Sequence, residues 1–178
     1  AREQGDFSAL PELHALSSGL KAFCTDVASV GIEACRRTCG GQGYSVLSGL
    51  PTIYTSYVQN VTWEGDNNVM YLQMARYLVK QVLSGGADAM TSGPLTRSTS
   101  RRPEDWTSPK AVVEALSSVE MYLAKSALAK LRSLAGPGNS EVLFEGAAWN
   151  QSTMDLVQLA KCRCRLVVFD AFVQEVGK

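Results

Sequence analysis

"LPELHALSSGLKAFCTDVASVGIEACRRTC", Leu10 to Cys39, decides the fold. Leu13, Leu16, Leu20, Phe23, Val27, Val30 and Ala34 recur at steps of three and four, the period of one apolar stripe on an α-helix. Pro11 suits a first helical turn, because its missing N–H would have no intrahelical partner there. Gly40-Gly41 supplies the stop. The spacing predicts one helix from about Leu10 to Cys39.

The same period returns along the chain. A loop is expected from Gly40 to about Leu50, then a short helix opened by Pro51 and running to Asn60. Asp66 can cap the next helix, with Val69, Leu72, Ala75, Val79 and Val82 turned inward and a stop at Gly85-Gly86. Ala87 to Pro109 is rich in Ser, Thr, Gly and Pro, has no periodicity, and reads as a linker or long surface loop carrying Arg97, Arg101 and Arg102. Those arginines fit a solvated basic loop, or else a site for an anionic ligand. Beyond it, Val112, Leu116, Val119, Leu123, Ala127, Leu131 and Leu134 mark a further helix, broken by Gly136-Pro137-Gly138. A last long helix is expected from about Ser140 to Val176, with Val157, Ala160, Cys164, Val167, Val168, Ala171 and Phe172 inward. Leu166 to Phe169 alone could pass for a strand, but the surrounding period of 3.6 outvotes it. The expected fold is all-α, a bundle of helices.

Composition narrows the function classes. With 46% hydrophobic and 19% charged residues in 178, the chain reads as an ordinary globular protein with enough length for a sizeable core. Lys+Arg and Asp+Glu are both 17, so there is no global basic field to attract nucleic acid or anionic lipid. No apolar run approaches the roughly 20 residues of a membrane helix. The five cysteines, with His14 as the sole histidine, offer no Cys/His metal set, and no metal is expected.

Two glycine-bearing motifs interrupt the helical pattern. Cys39-Gly40-Gly41-Gln42-Gly43-Tyr44 can be a helix end followed by a turn, or a loop whose N–H groups hold a phosphate. It is not a dinucleotide fingerprint, because a helix precedes it and no strand does. Thr62-Trp63-Glu64-Gly65-Asp66-Asn67-Asn68 sets an acid beside a large aromatic, just before a helix. Asp66 already serves the helix start, which leaves Glu64 available. A carboxylate packed on Trp63 would have a raised pKa and could act as a general base.

Together, "CRRTCGGQGYSVLSGLP" (35–51) and "TWEGDNNVMYLQMARYLVKQV" (62–82) resemble the C-terminal half of an acyl-CoA oxidase, most specifically over Glu12 to Val82. The resemblance implies a helical bundle of the acyl-CoA dehydrogenase C-terminal type followed by a further long-helix pair. Residues 1–86 would be the flavin-binding bundle portion carrying the catalytic base, 87–109 the linker, and 110–178 the start of a C-terminal helical domain. Glu64 is then the base that removes the pro-R α-proton of a fatty acyl-CoA while the β-hydrogen leaves as hydride to flavin N5. A trans-2-enoyl-CoA forms, and O2 reoxidises the flavin to give hydrogen peroxide. Its own backbone N–H would help hold the thioester oxygen. Trp63 and Gly65 are implied on the substrate side, and Gly40, Gly41, Gly43, Asp66 and Asn68 at the FAD. Arg76 is implied in packing or at CoA.

Arg37 and Asp66 stand where acyl-CoA dehydrogenases have Gln and Thr, which favours oxidase over a dehydrogenase that passes electrons to a carrier protein. Asn68 stands where oxidases often have Thr. A helical scaffold or oligomerisation module that keeps both motifs as helix ends is the non-enzymatic alternative. Family enzymes run to several hundred residues, so a fragment is expected, inactive alone and lacking the N-terminal helical and β-barrel domains. The parent would be a peroxisomal homodimer, although the final Val176-Gly177-Lys178 is not a Ser-Lys-Leu address.

Overall fold

A computed structural model describes residues 7–85, 108–136, 143–144 and 146–176, and every regular element among them is helical. The order is α1 (Leu10–Thr38), α2 (Gly40–Tyr44), α3 (Leu50–Val58), α4 (Asn67–Leu83), α5 (Pro109–Ala135), α6 (Gly146–Gln151) and α7 (Thr153–Val176). Single 3-10 turns, Val46–Ser48 and Gln59–Val61, flank α3. The fold class read from the periodicity holds. Most of the expected linker, with Arg97, Arg101 and Arg102, lies outside the described residues, as do Gly86, Pro137 and Gly138.

Helix starts and stops follow local chemistry. Prolines occupy the first turns of α1, α3 and α5. Asp66 caps α4, its Oδ1 accepting from the Asn68 N–H at 2.9 Å. Gly85 (φ 80°) and Gly136 (φ 72°) take the left-handed conformation just past α4 and α5. The expected loop at 40–50 is instead α2 and a 3-10 turn. Gly40 (φ 56°) redirects the chain after α1, and the Gly43 and Ser45 N–H groups donate to Cys39 O and Gly41 O, so the backbone coils again at once. The last helix is not continuous from Ser140. It breaks at Ser152, whose N–H donates to Trp149 O before α7 begins. Residues 140–142 and 145 are outside the described set.

Which faces are buried differs from the sequence reading. In α1 the buried residues are Ala15, Ser18, Gly19 and Ala22, a ridge of small side chains. A Cβ on Gly19 would overlap Met74 of α4 and lie 3.2 Å from Cys164 Sγ of α7, so the three helices meet at that glycine. Leu16, Leu20 and Phe23 flank the ridge, partly buried, whereas Leu13, Val27, Val30 and Ala34 face out. The reason is geometric: the apolar stripe is wide, close helix approach selects the small residues, and no described element covers the rest. Val69, Val119, Leu134, Val168, Ala171 and Phe172, all expected inside, are also exposed.

Helix α4 packs on both α1 and α7, α7 on α5, and α6 on α5. Tyr71, Met74, Ala75, Leu78 and Val79 of α4 join Met121, Ala124, Leu128 and Leu131 of α5 and Leu156, Leu159, Ala160 and Cys164 of α7 in one apolar core. Arg76 leans over the Phe144 and Trp149 rings, its carbon 5.8 and 5.3 Å from their centres, and donates to Phe144 O at 3.1 Å. Of the two roles implied for Arg76, the geometry shows packing.

Candidate functional site

The turn before α4 is tightly bonded and carries unusual backbone angles. The N–H groups of Thr62 and Trp63 both donate to Gln59 O, at 2.9 and 3.1 Å, which closes the preceding 3-10 turn. The chain then reverses through two left-handed residues, Glu64 (φ 57°) and Gly65 (φ 103°), before Asp66 starts α4. Glu64 is the sole non-glycine with positive φ among the described residues. Such a conformation costs an L-residue about 1–2 kcal/mol and persists where the surroundings hold it. Gly65 is required twice over, by its φ and because a Cβ there would come 2.5 Å from Met70 Cε.

A polar network holds the turn from below. Lys21 of α1 donates through Nζ to Gly65 O (2.7 Å) and to Asn67 Oδ1 (2.9 Å). Asn67 is buried, and its Nδ2 donates to Asp26 Oδ1 (2.6 Å), Thr25 Oγ1 (2.9 Å) and Ala22 O (3.1 Å). Asp26 Oδ2 accepts from the Tyr71 hydroxyl at 2.9 Å and lies 3.9 Å from Lys161 Nζ. Burial first, and the bond to Asp26 second, push the Tyr71 hydroxyl pKa far up, so it stays a donor. Sequence reasoning missed Lys21, Thr25, Asp26, Asn67 and Tyr71. The available signal was Thr25-Asp26 on the Ser18–Ala22 face of α1, polar groups on a packing stripe that need polar partners.

On the outer side of this anchor, Glu64 is exposed and Trp63 is 52% exposed. The Glu64 carboxylate therefore points away from the core, and no described element dries it. Asp66 and Asn68 lie at the same turn, Asp66 as the cap and Asn68 outward. The structure thus groups Trp63, Glu64, Gly65, Asp66 and Asn68.

Gly40, Gly41 and Gly43 are elsewhere. Gly65 sits against Lys21, whereas Cys39 is 18 residues further along α1, on the order of 25 Å at 1.5 Å per residue. The two motifs of one chain do not share a compact pocket. Gly40 and Gly41 are exposed, and a Cβ on either would meet nothing within 4 Å, leaving their backbone open to a ligand. Gly43 is buried; its N–H serves Cys39 O, and a Cβ would overlap the Arg36 carbonyl oxygen. Beside this corner lies an open hollow of about 610 Å³ lined by Glu33, Arg36, Tyr44, Ser45, Tyr54 and Thr55 among others. Arg36 donates to both Glu33 carboxylate oxygens at 2.7 Å, which holds that carboxyl below its usual range. The hollow thus offers two tyrosines and a guanidinium paired with Glu33, beside the exposed backbone of Gly40 and Gly41.

Among the described residues no cluster of His, Cys, Asp and Glu could hold a metal, and no helix is long and apolar enough to cross a membrane. All five cysteines are free: Cys24, Cys35 and Cys39 exposed, Cys162 and Cys164 buried. Burial raises both buried thiols, Cys164 to about 12, which keeps them protonated.

Comparison with known proteins bears on this geometry. The family model "Acyl-CoA oxidase, C-alpha1 domain" matches residues 1–79, and the model "Acyl-CoA oxidase" matches residues 108–178. Peroxisomal acyl-coenzyme A oxidase 2 of Oryctolagus cuniculus is 38% identical over 187 residues, covering 97% of this chain and 27% of that protein. Peroxisomal acyl-coenzyme A oxidase 1 of Homo sapiens is also 38% identical over 187 residues, covering 98% and 28%. Among solved structures, Arabidopsis thaliana acyl-CoA oxidase 1 superposes with a TM-score of 0.83 at 35% identity over 97% of this chain and 27% of its own. Acyl-CoA oxidase-2 of Caenorhabditis elegans, bound with FAD, ascaroside-CoA and ATP, gives 0.80 at 32% identity over 98% and 26%. The chain spans about a quarter of the length of these relatives.

Proposed function

The chain belongs to the acyl-CoA oxidase family, and from that premise we propose that it carries the catalytic base and part of the flavin surface of an enzyme that desaturates fatty acyl-CoA to trans-2-enoyl-CoA. The observation that carries this reading is Glu64, an exposed carboxylate held in a left-handed turn that costs energy and is fixed from beneath by a buried network. Strained backbone of this kind clusters at functional sites, which supports the reading.

Glu64 removes the α-proton, and the acid strength of a thioester α-carbon requires the carboxylate to be positioned and shielded from water. The Glu64 N–H points a donor at the thioester oxygen as negative charge gathers there. Trp63 supplies a pocket wall and Gly65 a bare strip of backbone beside the substrate. FAD, when bound, supplies the two-electron acceptor for the β-hydrogen and its electron pair, which O2 then takes to become hydrogen peroxide. Gly40 and Gly41 with the adjoining hollow hold one part of that cofactor, Gly43 shaping the corner from inside against Arg36, and Asp66 and Asn68 stand near another part.

With the two motifs about 25 Å apart along α1, the two groups serve different stations of an extended cofactor, or different cofactors in a homodimer. Residues 1–86 form the flavin-bearing portion and 110–178 the start of the following helical domain. The working compartment of the parent enzyme is the peroxisome, a reading supported by relatives named peroxisomal acyl-coenzyme A oxidases.

The test is peroxide release from a long-chain acyl-CoA by the complete, flavin-loaded enzyme, wild type beside Glu64→Gln. A general base predicts a fall of at least about 10²-fold with flavin content and melting temperature unchanged. Equal peroxide from both proteins, or electrons reaching only an artificial acceptor, would overturn the reading.

A further inference from the structure

The polar network under the turn is more elaborate than a helix joint needs. Capping of α4 is complete with Asp66 alone. Yet six further side chains from three helices are linked beneath the turn: Lys21, Thr25 and Asp26 of α1, Asn67 and Tyr71 of α4, and Lys161 of α7 facing Asp26. Of these only Lys21 reaches the turn's backbone, at the carbonyl of Gly65, the residue after Glu64; the others hold Asn67 and Asp26 behind it.

We infer that Lys21 is a positioning residue for Glu64: its ammonium holds the Gly65 carbonyl and so keeps the adjacent glutamate left-handed, with its carboxylate in one place. This inference rests on the catalytic role proposed for Glu64. Glu64 lies between two fixed points, the Trp63 N–H bonded to Gln59 O on one side and the Gly65 carbonyl bonded to Lys21 on the other. A move of Glu64 to negative φ has to be absorbed by the few torsions between these two bonds. Glycine at 65 makes the second pin indispensable, since glycine itself has no preference for the hand it adopts.

Lys21 is suited to the task. Its three hydrogens serve the Gly65 carbonyl and the Asn67 amide oxygen together, and both acceptors gain from a charged donor. Asn67 cannot drift, because its amide nitrogen is committed to Ala22 O, Thr25 Oγ1 and Asp26 Oδ1. The chain of contacts therefore runs from α1 to the catalytic turn and bypasses the substrate. Removing the ammonium loosens Glu64 and Gly65, while in the closed turn Trp63 keeps its bond to Gln59 O and the corner at Gly40 and Gly41 is untouched.

In the complete, flavin-loaded enzyme, Lys21→Met should lower kcat at least about 10-fold with the acyl-CoA KM within about twofold, the split expected of misplaced chemistry and intact binding. In Lys21→Ala, n-propylammonium should restore part of the lost kcat by refilling the site, which no purely structural defect would allow. Amide hydrogen exchange supplies a readout that does not need activity. The Trp63 and Asn68 amides, which are hydrogen-bonded at either end of the turn, should exchange at least about 10-fold faster in Lys21→Met, with α5 and α7 unchanged. Faster exchange there in Lys21→Met, together with a wild-type enzyme that makes no peroxide, would retain Lys21 as the clamp and overturn the catalytic reading. Wild-type kcat and wild-type exchange in Lys21→Met would overturn the clamp. Exchange rising equally in every helix would overturn it too, by showing a general loss of stability.

Discussion

Glu64 and Gly65 are both left-handed, but they tolerate it differently. The glutamate is strained, whereas the glycine is at ease and also leaves room for Met70. Gly65→Ala should therefore cost about 1–3 kcal/mol in denaturant unfolding and abolish turnover, through positive φ and the Met70 overlap together. Gly41→Ala is the informative counterpart. Its φ is ordinary and a Cβ meets nothing within 4 Å, so unfolding stability should hold or rise by about 0.4–1 kcal/mol. A fall in FAD affinity in that variant would report the cofactor itself, measured by flavin titration. At this scale Glu64 and the glycines were legible in the sequence as unusual chemistry. Lys21 was not, because a lysine on a helix is ordinary until the carbonyl in front of it is known.

At the scale of elements, the sequence located helix starts and stops within a few residues. Prolines and Asp66 act on their own few neighbours, so their effect does not depend on the fold. Asp66→Ala should cost about 1 kcal/mol through loss of the bond to the Asn68 N–H, read as a lower melting temperature. If FAD occupancy is unchanged in that variant, Asp66 is a cap and nothing more; reduced occupancy would add a flavin contact. The mistaken elements were those set by backbone bonding after a glycine. Gly40 turned the chain, as expected, but the amides beyond it found carbonyls within reach and made α2. The long last helix was wrong for a related reason, since a buried Ser152 marks a break that periodicity alone does not show.

At the scale of the whole molecule, α4 and α7 join the first and second halves in one core. The core also encloses Glu120 of α5, 1% exposed, facing Arg163 of α7. Arg163 Nε lies 2.5 Å from Glu120 Oε1 but off the line of a hydrogen bond, so the attraction is mainly Coulombic. Burial outweighs it and pushes the Glu120 pKa up to about 7 from an ordinary 4.5. The sign follows from proton counts: between those two values the folded chain binds more protons than the unfolded one. Folding stability from this group is complete below about pH 4.5 and is lost as pH rises through about 7, by up to ~3 kcal/mol. Glu120→Gln should flatten the slope, matching wild type near pH 5 and exceeding it near pH 8 in denaturant melts. A wild-type stability that rises across this interval would contradict the burial argument.

The sequence by itself determined that the chain is helical and where most helices begin and end, and it singled out the Trp63–Asn68 turn. Periodicity, proline, glycine and a capping aspartate act over a few residues, so their consequences are written locally. Tertiary structure alone decided which part of each apolar stripe is covered. It chose Ala15, Gly19 and Ala22 over Leu13 and Val27, because burial belongs to the fit between two surfaces and small residues let helices close. It also buried Glu120 and Asn67, set the two glycine motifs far apart along α1, and brought Lys21 to Gly65 across 44 positions of sequence. Each of these depends on a partner contributed by a distant segment, which no local pattern encodes.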